Sequence, residues 1–411
     1  MRLFEVQPVA QVFRAIDQQF SPLVHQPEIV SLEWAQGRVL AEAVTAQEDV
    51  PGFDRSTVDG YAVRAKETIG ASESLPAFFT RVGEVRMGEV PSRALHPGET
   101  MYIPTGGMLP QGADAVVMIE QVEEVDDLVN IYRPVAVHEN VIFRGEDVHQ
   151  GEMLLPAGVR LRPQEIGALA AVGIDQVAVV PRLRVAILST GDEVVPAATP
   201  QLRPGQIRDV NAPALAAAVQ RDGAEAIVGG IVADDATALL QRCSELLHDA
   251  DLLLLSGGSS VGTRDHTEQV IASLGEPGIF VHGIALHPGK PAILARCGQK
   301  AVVGLPGHPV SALLIYDLFV RRILDRLSGH SSLPWQAQIP ARLTRNVASH
   351  AGQSDYLRVR LLARSDGWWA DPIFGKSGLI TTLVKADGLV EIPPEREGLR
   401  EGEGVAVYPL Q

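Results

Sequence analysis

The sequence is poor in cysteine and has no long apolar run. Its 411 residues include two cysteines, Cys243 and Cys297, and neither stands in a CxxC pair. We therefore expect free thiols and a protein of a reducing compartment, the cytoplasm. No stretch approaches the roughly 20 apolar residues that a membrane-spanning helix needs. The N-terminal segment also lacks the apolar core of a signal peptide.

Positive charge is in deficit as well. Lysine and arginine number 35 against 50 aspartates and glutamates, for a formal net charge of −15. A field of that sign repels nucleic acid and anionic membrane surfaces, so neither is expected as a partner. A local group of cations could still bind an anionic substrate. Acid and base balance from Pro334 onwards, so this last segment repels an anion least.

The first half of the chain changes its pattern twice. Helical spacing of apolar residues predicts an opening amphipathic helix, carried by Val9, Phe13, Ile16 and Phe20. A second helical pattern covers residues 27–44. Between about residues 50 and 140, strand-like runs alternate with turn clusters, which indicates a small β-rich domain. A strand-turn-helix pattern then follows, and it could pair with residues 25–45 so that the β-rich part is an insertion.

The segment from Arg184 to Leu327 alternates short apolar strands with helices. The strands read RVAILST, EAIVGGIV, DLLLLSGG and KAVVGLPG, and a long helical run closes the segment. Strands without polar alternation, separated by helices, indicate a parallel sheet covered on both faces. Ligands bind such sheets beyond the carboxyl ends of the strands. Three loops should therefore share one crevice: STGDEVV, SGGSSVGTRDH and GLPGHPVSA.

The predicted fold class is multidomain α/β, with a central three-layer parallel-sheet domain, an inserted β-rich domain, a small α/β domain and a C-terminal β-barrel-like domain. The C-terminal part alternates again, as in SDYLRVRL. The predicted boundaries are 1–24 for an N-terminal helix packing on the parallel-sheet domain, 25–45 with 144–178 for the small α/β linker domain, 46–143 for the β-rich domain, 179–330 for the parallel-sheet domain and 331–411 for the C-terminal domain.

The glycine-rich loop after DLLLLS could bind an anion. Gly257 and Gly258 let backbone N–H groups turn toward one point, as in a phosphate-binding nest. A tight turn would need the same glycines. The loop also matches G-x-S-x-G around Ser260, the pattern of a hydrolase nucleophile elbow. The glycine pair and the run to Asp265 predict a loop that postpones the helix, which argues against an elbow serine at the strand-to-helix corner.

Acidic residues gather in the predicted crevice. Glu193 follows one strand, Asp265 follows another, and Asp234 stands where it would also cap a helix. Carboxylates at one crevice repel one another unless a cation joins them. Mg²⁺ bridging to a substrate phosphate would resolve this, with one or two carboxylates bound directly.

Three further loops hold candidate residues. The prolines of HPGKP stiffen the loop and fix Lys290, a point charge suited to an oxyanion. Ser311 stands near the start of the closing helix, and Asn211 is predicted as the N-cap of the helix NAPALAAAVQRDG. The loop PGFDRSTVDGYAV with Asp59 is explained equally well as a capped turn.

Together these stretches resemble the molybdopterin molybdenumtransferase family, to which the E domain of gephyrin is related. The resemblance rests on DRSTVDGYAV, IPTGGMLPQGADAVV, RGEDV, LSTGDEVV, the aspartate of ADDA, SGGSSVGTRDH, HPGKP, GLPGHPVSALL and FGKSGLITTLVKADGLVEIP, in this order over residues 50–392. It implies an elongated homodimer of four-domain chains. It also implies a Mg²⁺-dependent reaction in which molybdate replaces the adenylate of adenylyl-molybdopterin, giving molybdenum cofactor and AMP. Molybdopterin adenylyltransferase would be a possible partner.

The resemblance also assigns roles by position. It implies that Asp265 holds the metal and assists cleavage, supported by Asp234, the second metal ligand, and by Glu193. The cleft wall would use Asp59, Thr105 and Asp147. The substrate and molybdate site would comprise Gly257, Gly258, Ser260, His287, Lys290, Pro291 and Ser311, joined by Arg358 and Ser377 from the partner's C-terminal domain.

Two positions depart from the family pattern. His287 stands where lysine is usual, and His308 stands where asparagine is usual. A histidine is only partly charged at neutral pH, so oxyanion affinity could depend on pH, and tungstate could replace molybdate. A lone adenylyltransferase would lack the flanking β domains. A scaffold protein would leave the acidic crevice unexplained.

Overall fold

The computed structural model describes residues 6–257, 263–330 and 337–410, and for residues 263–265 it describes the backbone alone. The chain begins with α1 (Val9–Gln19), β1 (Glu28–Ser31), β2 (Val44–Thr45) and β3 (Arg55–Ser56). The β-rich part continues with β4 (Gly60–Val63), β5 (Ala77–Glu84), β6 (Glu99–Ile103), β7 (Ala115–Met118), β8 (Val122–Val125), β9 (Leu128–Ile131) and β10 (Val141–Ile142). Short 3-10 helices cover Leu32–Trp34, Ala65–Thr68 and Ile119–Gln121.

The middle of the chain returns to α/β structure with β11 (Met153–Leu155), α2 (Pro163–Ala171) and β12 (Gln176–Val179). The next part contains β13 (Arg184–Thr190), β14 (Val194–Val195), β15 (Ile207–Arg208), α3 (Asn211–Arg221), β16 (Glu225–Val232), α4 (Ala236–Asp249), β17 (Leu252–Ser256), α5 (Thr263–Ser273), β18 (Pro277–His282), β19 (Leu286–His287), β20 (Ile293–Cys297), β21 (Lys300–Leu305), α6 (Pro309–Ile315) and α7 (Arg321–Ser328). A π-helical turn, Tyr316–Val320, joins α6 to α7.

The C-terminal part contains β22 (Ile339–Leu343), β23 (Val347–Ala348), β24 (Ser354–Arg364), β25 (Gly367–Pro372), α8 (Thr381–Val384), β26 (Gly388–Ile392), β27 (Gly398–Leu399) and β28 (Gly404–Pro409). The sheet order runs β24–β25–β22–β28–β26, and β26 pairs with β24 again, which closes a barrel. The predicted β-barrel-like domain is confirmed.

The parallel-sheet domain has three layers, as predicted. Its sheet has the order β16–β13–β17–β21–β20–β18, in which β20 runs antiparallel to both of its neighbours, β21 and β18. Leu252 and Leu254 pack in the core that includes α1, α3, α6 and α7, while Leu253 and Leu255 pack against α4 and α5 on the other face. All four leucines are fully buried, and each stabilises the fold by roughly 2 kcal/mol. This explains the apolar run without alternation.

The N-terminal helix lies on the parallel-sheet domain. Ile16 and Val12 of α1 are fully buried in the core shared with α7, and Phe13 stacks on Phe319 with ring centroids 5.2 Å apart. Arg322 donates two hydrogen bonds of 2.9 Å to the Asp17 carboxylate. The exact domain boundaries given above stay predictions.

The second predicted helix, over residues 27–44, was wrong. This segment forms β1, a 3-10 turn and β2. The strand β1 pairs with β12, and β2 pairs with β11, so segments far apart in the chain complete one small unit. These pairings outweigh the local helical periodicity because they satisfy the backbone groups and bury Leu40 and Val179 together.

Two further expectations can be compared with the structure. Cys243 and Cys297 are both free thiols, and burial raises the pKa of Cys243 to about 12. Among the described residues, no helix has the length and hydropathy to cross a membrane.

Candidate functional site

The carboxyl ends of the central strands meet at one edge of the sheet. Ser189 lies beside Ser256 in the register of β13 and β17, and Ser256 lies beside Leu305 in that of β17 and β21. Thr190 pairs with Val232 at the end of β16. The loops that follow these strands therefore leave from the same edge, which is the crevice that the sequence predicts.

Acidic side chains converge on one side of this crevice. The Thr190 hydroxyl donates a hydrogen bond of 2.9 Å to Asp234 Oδ1, and the backbone N–H of Asp234 donates to Asp192 Oδ1 at 3.2 Å. The carboxylate of Glu193 folds back over Gly191, where an added methyl group would lie 2.9 Å from Glu193 Oε2. Asp192, Glu193 and Asp234 thus gather after β13 and β16.

Asp234 does not cap a helix, contrary to the prediction. The N-cap of α4 is Asp235, whose carboxylate accepts the N–H of Ala238 at 2.8 Å. Either of two adjacent aspartates could fill the capping position, and the helix begins one residue later than expected. The shift leaves Asp234 directed to Thr190 in the crevice.

Gly257 is required where β17 leaves the sheet. Its φ is +132°, and a Cβ placed there would lie 2.1 Å from the Thr190 carbonyl oxygen. The backbone after β17 therefore passes directly against the end of β13, which a side chain would prevent. Gly258 and Ser260 lie outside the described residues, so the anion nest and the hydrolase alternative are not tested there.

Asp265 lies in a helix and not in the loop to which the sequence assigned it. The helix α5 begins at Thr263, so Asp265 stands in the first turn, where an acidic residue suits the helix dipole. Its side chain lies outside the described part of the chain. Among the described side chains, no group of three histidines, cysteines or acids could hold a metal ion. The assignment of Asp265 and Asp234 as metal ligands therefore stays a prediction.

Asn211 is a residue of the crevice that sequence reasoning missed. It is not the N-cap of α3, because it lies within the helix and Asp209 Oδ1 accepts the N–H groups of Asn211 and Ala212. Its buried side-chain amide donates to Ser256 Oγ at 2.7 Å and to the Gly307 carbonyl at 2.9 Å. Asn211 lies one helical turn before the buried Leu215. This spacing would have placed Asn211 on the buried face of the helix.

We expect Asn211→Leu to destabilise the parallel-sheet domain by about 2 kcal/mol, since Ser256 Oγ and the Gly307 carbonyl would lose a buried donor. Thermal unfolding of the purified variant measures this loss. Gln220→Leu, at an exposed position of the same helix, is the matched control and should change stability by less than about 0.5 kcal/mol. Equal melting temperatures for the two variants would show that the hydrogen bonds of Asn211 with Ser256 and Gly307 do not stabilise the domain.

The loop HPGKP is attached to the C-terminal barrel. The strand β19 pairs in parallel with β24, with His287 opposite Asp355. His287 Nδ1 lies 2.9 Å from Asp355 Oδ1, and Ser349 Oγ donates to Asp355 Oδ2 at 3.1 Å. The hydrogen bond with Asp355 raises the pKa of His287 above its usual value. Lys290 is exposed at the tip of this loop, beside Pro291.

The loop GLPGHPVSA also touches the C-terminal domain. His308 Nδ1 lies 2.8 Å from Ser377 Oγ, and the N–H of Val310 donates to the Ser377 carbonyl at 3.2 Å. Ser311 is buried in the first turn of α6, with 3% of its surface exposed. Its hydroxyl therefore presents little surface to a ligand in this conformation.

Arg358 is buried and rigidly held, with 8% of its surface exposed. Its two terminal nitrogens donate to Thr382 Oγ1 and to the Gly375 carbonyl, each at 2.8 Å, and Nε has no partner. Burial lowers the pKa of the guanidinium. Arg358 also lines a cavity of about 170 Å³ together with Pro288 and Val310 of the parallel-sheet domain.

Arg358 and Ser377 reach this place from the same chain. That a partner's C-terminal domain supplies such residues to the site stays a prediction. The pairing of β19 with β24 joins the barrel to its own parallel-sheet domain, where Arg358 lines the cavity with Pro288 and Val310 and Ser377 contacts His308.

The remaining candidates lie in the β-rich part. Thr105 donates to Asp59 Oδ1 through its backbone N–H at 2.7 Å and its hydroxyl at 2.9 Å, and these bonds lower the pKa of Asp59. Asp147 is exposed beside the turn where Arg144 donates to Asp49 at 2.6 Å. Among the described residues, no hydrogen bond or ion pair links Asp59, Thr105 or Asp147 to the crevice of their own chain.

The fold and the crevice define a class: multidomain α/β proteins with a ligand site at the carboxyl edge of a three-layer domain. Comparison with known families extends this assignment. Residues 7–173 match the MoeA N-terminal region (domain I and II), residues 186–326 match the probable molybdopterin binding domain, and residues 340–410 match the MoeA C-terminal region (domain IV).

Individual relatives agree along the whole length. A molybdopterin molybdenumtransferase of Nostoc sp. is 40% identical over 389 residues, covering 93% of this chain and 88% of the relative. Two solved structures of the molybdopterin biosynthesis MoeA protein of Pyrococcus horikoshii are also similar. One is 40% identical with a TM-score of 0.76, covering 98% of this chain and 99% of the other. The second is 29% identical with a TM-score of 0.83, covering 99% and 100%. The chain belongs to the molybdopterin molybdenumtransferase (MoeA) family.

Proposed function

We propose that this protein is a molybdotransferase that inserts molybdate into adenylyl-molybdopterin, releasing AMP and molybdenum cofactor in a Mg²⁺-dependent reaction. Its membership of the family and the names of its relatives support the reaction class. The release of AMP, the need for Mg²⁺ and a cytoplasmic location are parts of the proposal.

One observation carries the proposal most strongly: a continuous series of contacts joins an acidic end of the crevice to a basic end. Asp234 bonds Thr190, whose carbonyl lies against Gly257. The side-chain amide of Asn211 donates hydrogen bonds both to Ser256 and to the Gly307 carbonyl. The next residue, His308, is hydrogen-bonded to Ser377 of the C-terminal barrel. The nucleotide ester and the oxyanion are both anions: the acidic end would bind the first through a cation, and the basic end would bind the second directly.

The acidic end fits a magnesium ion by the chemistry of its donors. Mg²⁺ prefers oxygen ligands and commonly takes one or two carboxylates together with substrate phosphates, so Asp234, whose Oδ1 accepts a hydrogen bond from Thr190, and Asp265 would hold the ion. When bound, the ion would neutralise charge on the phosphoanhydride. The backbone amides around Gly257 would orient the phosphates.

The basic end suits a dianionic oxyanion. Lys290 supplies an exposed ammonium on a loop fixed to the barrel, and Arg358 supplies a buried guanidinium held by Thr382 and Gly375. Cations held in place before the ligand arrives stabilise it without reorganisation. Ser311, Ser377 and Pro291 complete the proposed oxyanion site.

We further propose a homodimer in which Asp59, Thr105 and Asp147 of one subunit face the crevice of the other. Thr105 holds Asp59 in a fixed orientation on the exposed surface of the β-rich part, as a wall residue requires. Molybdopterin adenylyltransferase is the proposed supplier of the substrate.

The test is to incubate the purified protein with adenylyl-molybdopterin, molybdate and Mg²⁺ and to measure AMP and molybdenum cofactor. We expect Asp265→Ala to release AMP about 10²–10³-fold more slowly while still binding the pterin, because it would lose electrostatic stabilisation of the reacting group. Glu245→Gln, which removes a surface charge paired with Arg242, is the matched control and should keep full activity. Full turnover by Asp265→Ala would remove that residue from the mechanism.

A further inference from the structure

His287 and His308 lie where two loops of the parallel-sheet domain meet the C-terminal barrel. His287 bonds Asp355, and His308 bonds Ser377. The two contacts differ in kind, because a carboxylate attracts a proton to the imidazole and a hydroxyl does not. Only the contact with Asp355 pairs opposite charges when the imidazole is protonated.

The contact of His287 with Asp355 is built into the backbone. His287 and Asp355 are Cα partners in the two-residue parallel pairing of β19 with β24. Ser349 donates to the second carboxylate oxygen of Asp355, which fixes the plane of the acceptor. A histidine with one nitrogen held in this way is oriented by its partner and is not free to turn toward a ligand through that nitrogen.

The loop that carries Lys290 begins at His287. Two residues lie between them, and the Lys290 carbonyl accepts the N–H of Ile284 at 2.9 Å, which closes the loop on itself. The position of His287 on the barrel therefore constrains the backbone that carries Lys290. Arg358, on the same strand as Asp355, lines a cavity with Pro288, the residue that follows His287.

We propose that His287 is a positioning residue: in its protonated form it holds the Lys290 loop on Asp355 of the barrel, so that the affinity of the site for a tetrahedral oxyanion falls as His287 loses its proton. This deepens the proposed function and rests on it for the identity of the oxyanion. The charged groups that face His287 are Asp355, which favours the imidazolium, and Arg358, which opposes it.

The direction of the pH dependence follows from these neighbours. Asp355 raises the pKa of His287 above its ordinary value through its hydrogen bond. The charged contact is complete below the ordinary histidine pKa and is lost as the pH rises through the raised one. The neutral imidazole can still donate to Asp355, so the expected change is roughly five-fold, the difference between a charged and a neutral hydrogen bond.

The first experiment needs no turnover. In the full protein labelled at histidine, NMR should give His287 a pKa above that of an exposed histidine, and Asp355→Asn should lower it. Hydrogen exchange at the backbone amides of residues 286–292, corrected for the intrinsic effect of pH, should become about five-fold faster as the pH rises through the pKa of His287. The inference is overturned if His287 has an ordinary pKa that Asp355→Asn does not change, or if the amide exchange rate stays constant across the titration of His287.

The second experiment separates the inference from the proposed function. The KM for molybdate should rise roughly five-fold with pH while kcat is unchanged, and His287→Lys should remove this dependence because its charge persists. His287→Gln should show the high-pH KM at every pH. The control His96→Gln, an exposed histidine of the β-rich part, should keep the wild-type profile. If the wild-type protein turns over with a KM for molybdate that does not change with pH, the inference is overturned and the proposed function stands. If amide exchange in residues 286–292 follows the titration of His287 but the protein releases no AMP, the inference is supported and the proposed function is overturned.

Discussion

Replacing Gly257 by alanine is expected to destabilise the parallel-sheet domain by about 3 kcal/mol or more, the upper range for a single substitution. The new Cβ would lie 2.1 Å from the Thr190 carbonyl oxygen and 2.8 Å from its Cγ2. The oxygen belongs to the backbone of β13, a central strand, so it cannot move without breaking the sheet. The φ of +132° adds strain for any residue with a side chain.

Differential scanning calorimetry of the full protein measures this effect. A loss of about 3 kcal/mol corresponds to a fall in the Tm of the domain by roughly 6–12 °C. Gly230→Ala is the matched control. Its φ is +90°, but a Cβ there meets nothing within 4 Å, so it isolates the conformational cost of about 1 kcal/mol. If both variants lose the same stability, the close approach of Gly257 to Thr190 is not the cause.

Replacing Arg358 by alanine is expected to raise the KM for molybdate by about 10²-fold, since the site would lose a charged and preoriented donor. Arg358→Lys should not restore the affinity. A lysine cannot reach Thr382 and Gly375 at once, so its ammonium would not be held in place. The dependence of AMP and cofactor formation on molybdate concentration gives the KM.

The control for Arg358 is Arg360→Ala, which removes the same residue type from an exposed position of the same strand. It should leave the KM within about two-fold, because an exposed arginine contributes little beyond its screened charge. A normal KM in Arg358→Ala would exclude the guanidinium from oxyanion binding. Binding of the pterin substrate by each variant shows that the fold is retained.

The crevice could be predicted because it depends on rules that are local in sequence. Short apolar strands separated by helices make a parallel sheet, and Glu193, Asp234 and Gly257 each follow such a strand within four residues. Their meeting at one edge then follows from chain direction. The capping prediction failed at Asp234 because two adjacent aspartates offer the same chemistry, and one residue of helix register decided between them.

Asn211 escaped prediction for the opposite reason. The same residue type serves as a cap or as a buried crosslink, and local sequence favours the cap. Only the positions of Ser256 and Gly307, 45 and 96 residues further along the chain, reveal the second role. The helix predicted over residues 27–44 failed likewise, because its strands take their partners from residues 153–179.

The sequence by itself determined the layers, the acidic crevice and the family, since apolar periodicity and ordered motifs are carried by neighbouring residues. The tertiary structure alone decided where the C-terminal barrel packs on the parallel-sheet domain of its own chain. The pairing of β19 with β24 brings Arg358, Asp355 and Ser377 onto their own parallel-sheet domain. This pairing joins two short segments about 70 residues apart through backbone hydrogen bonds. Because nearly every residue carries the same backbone groups, no local sequence pattern specifies which segment will be the partner.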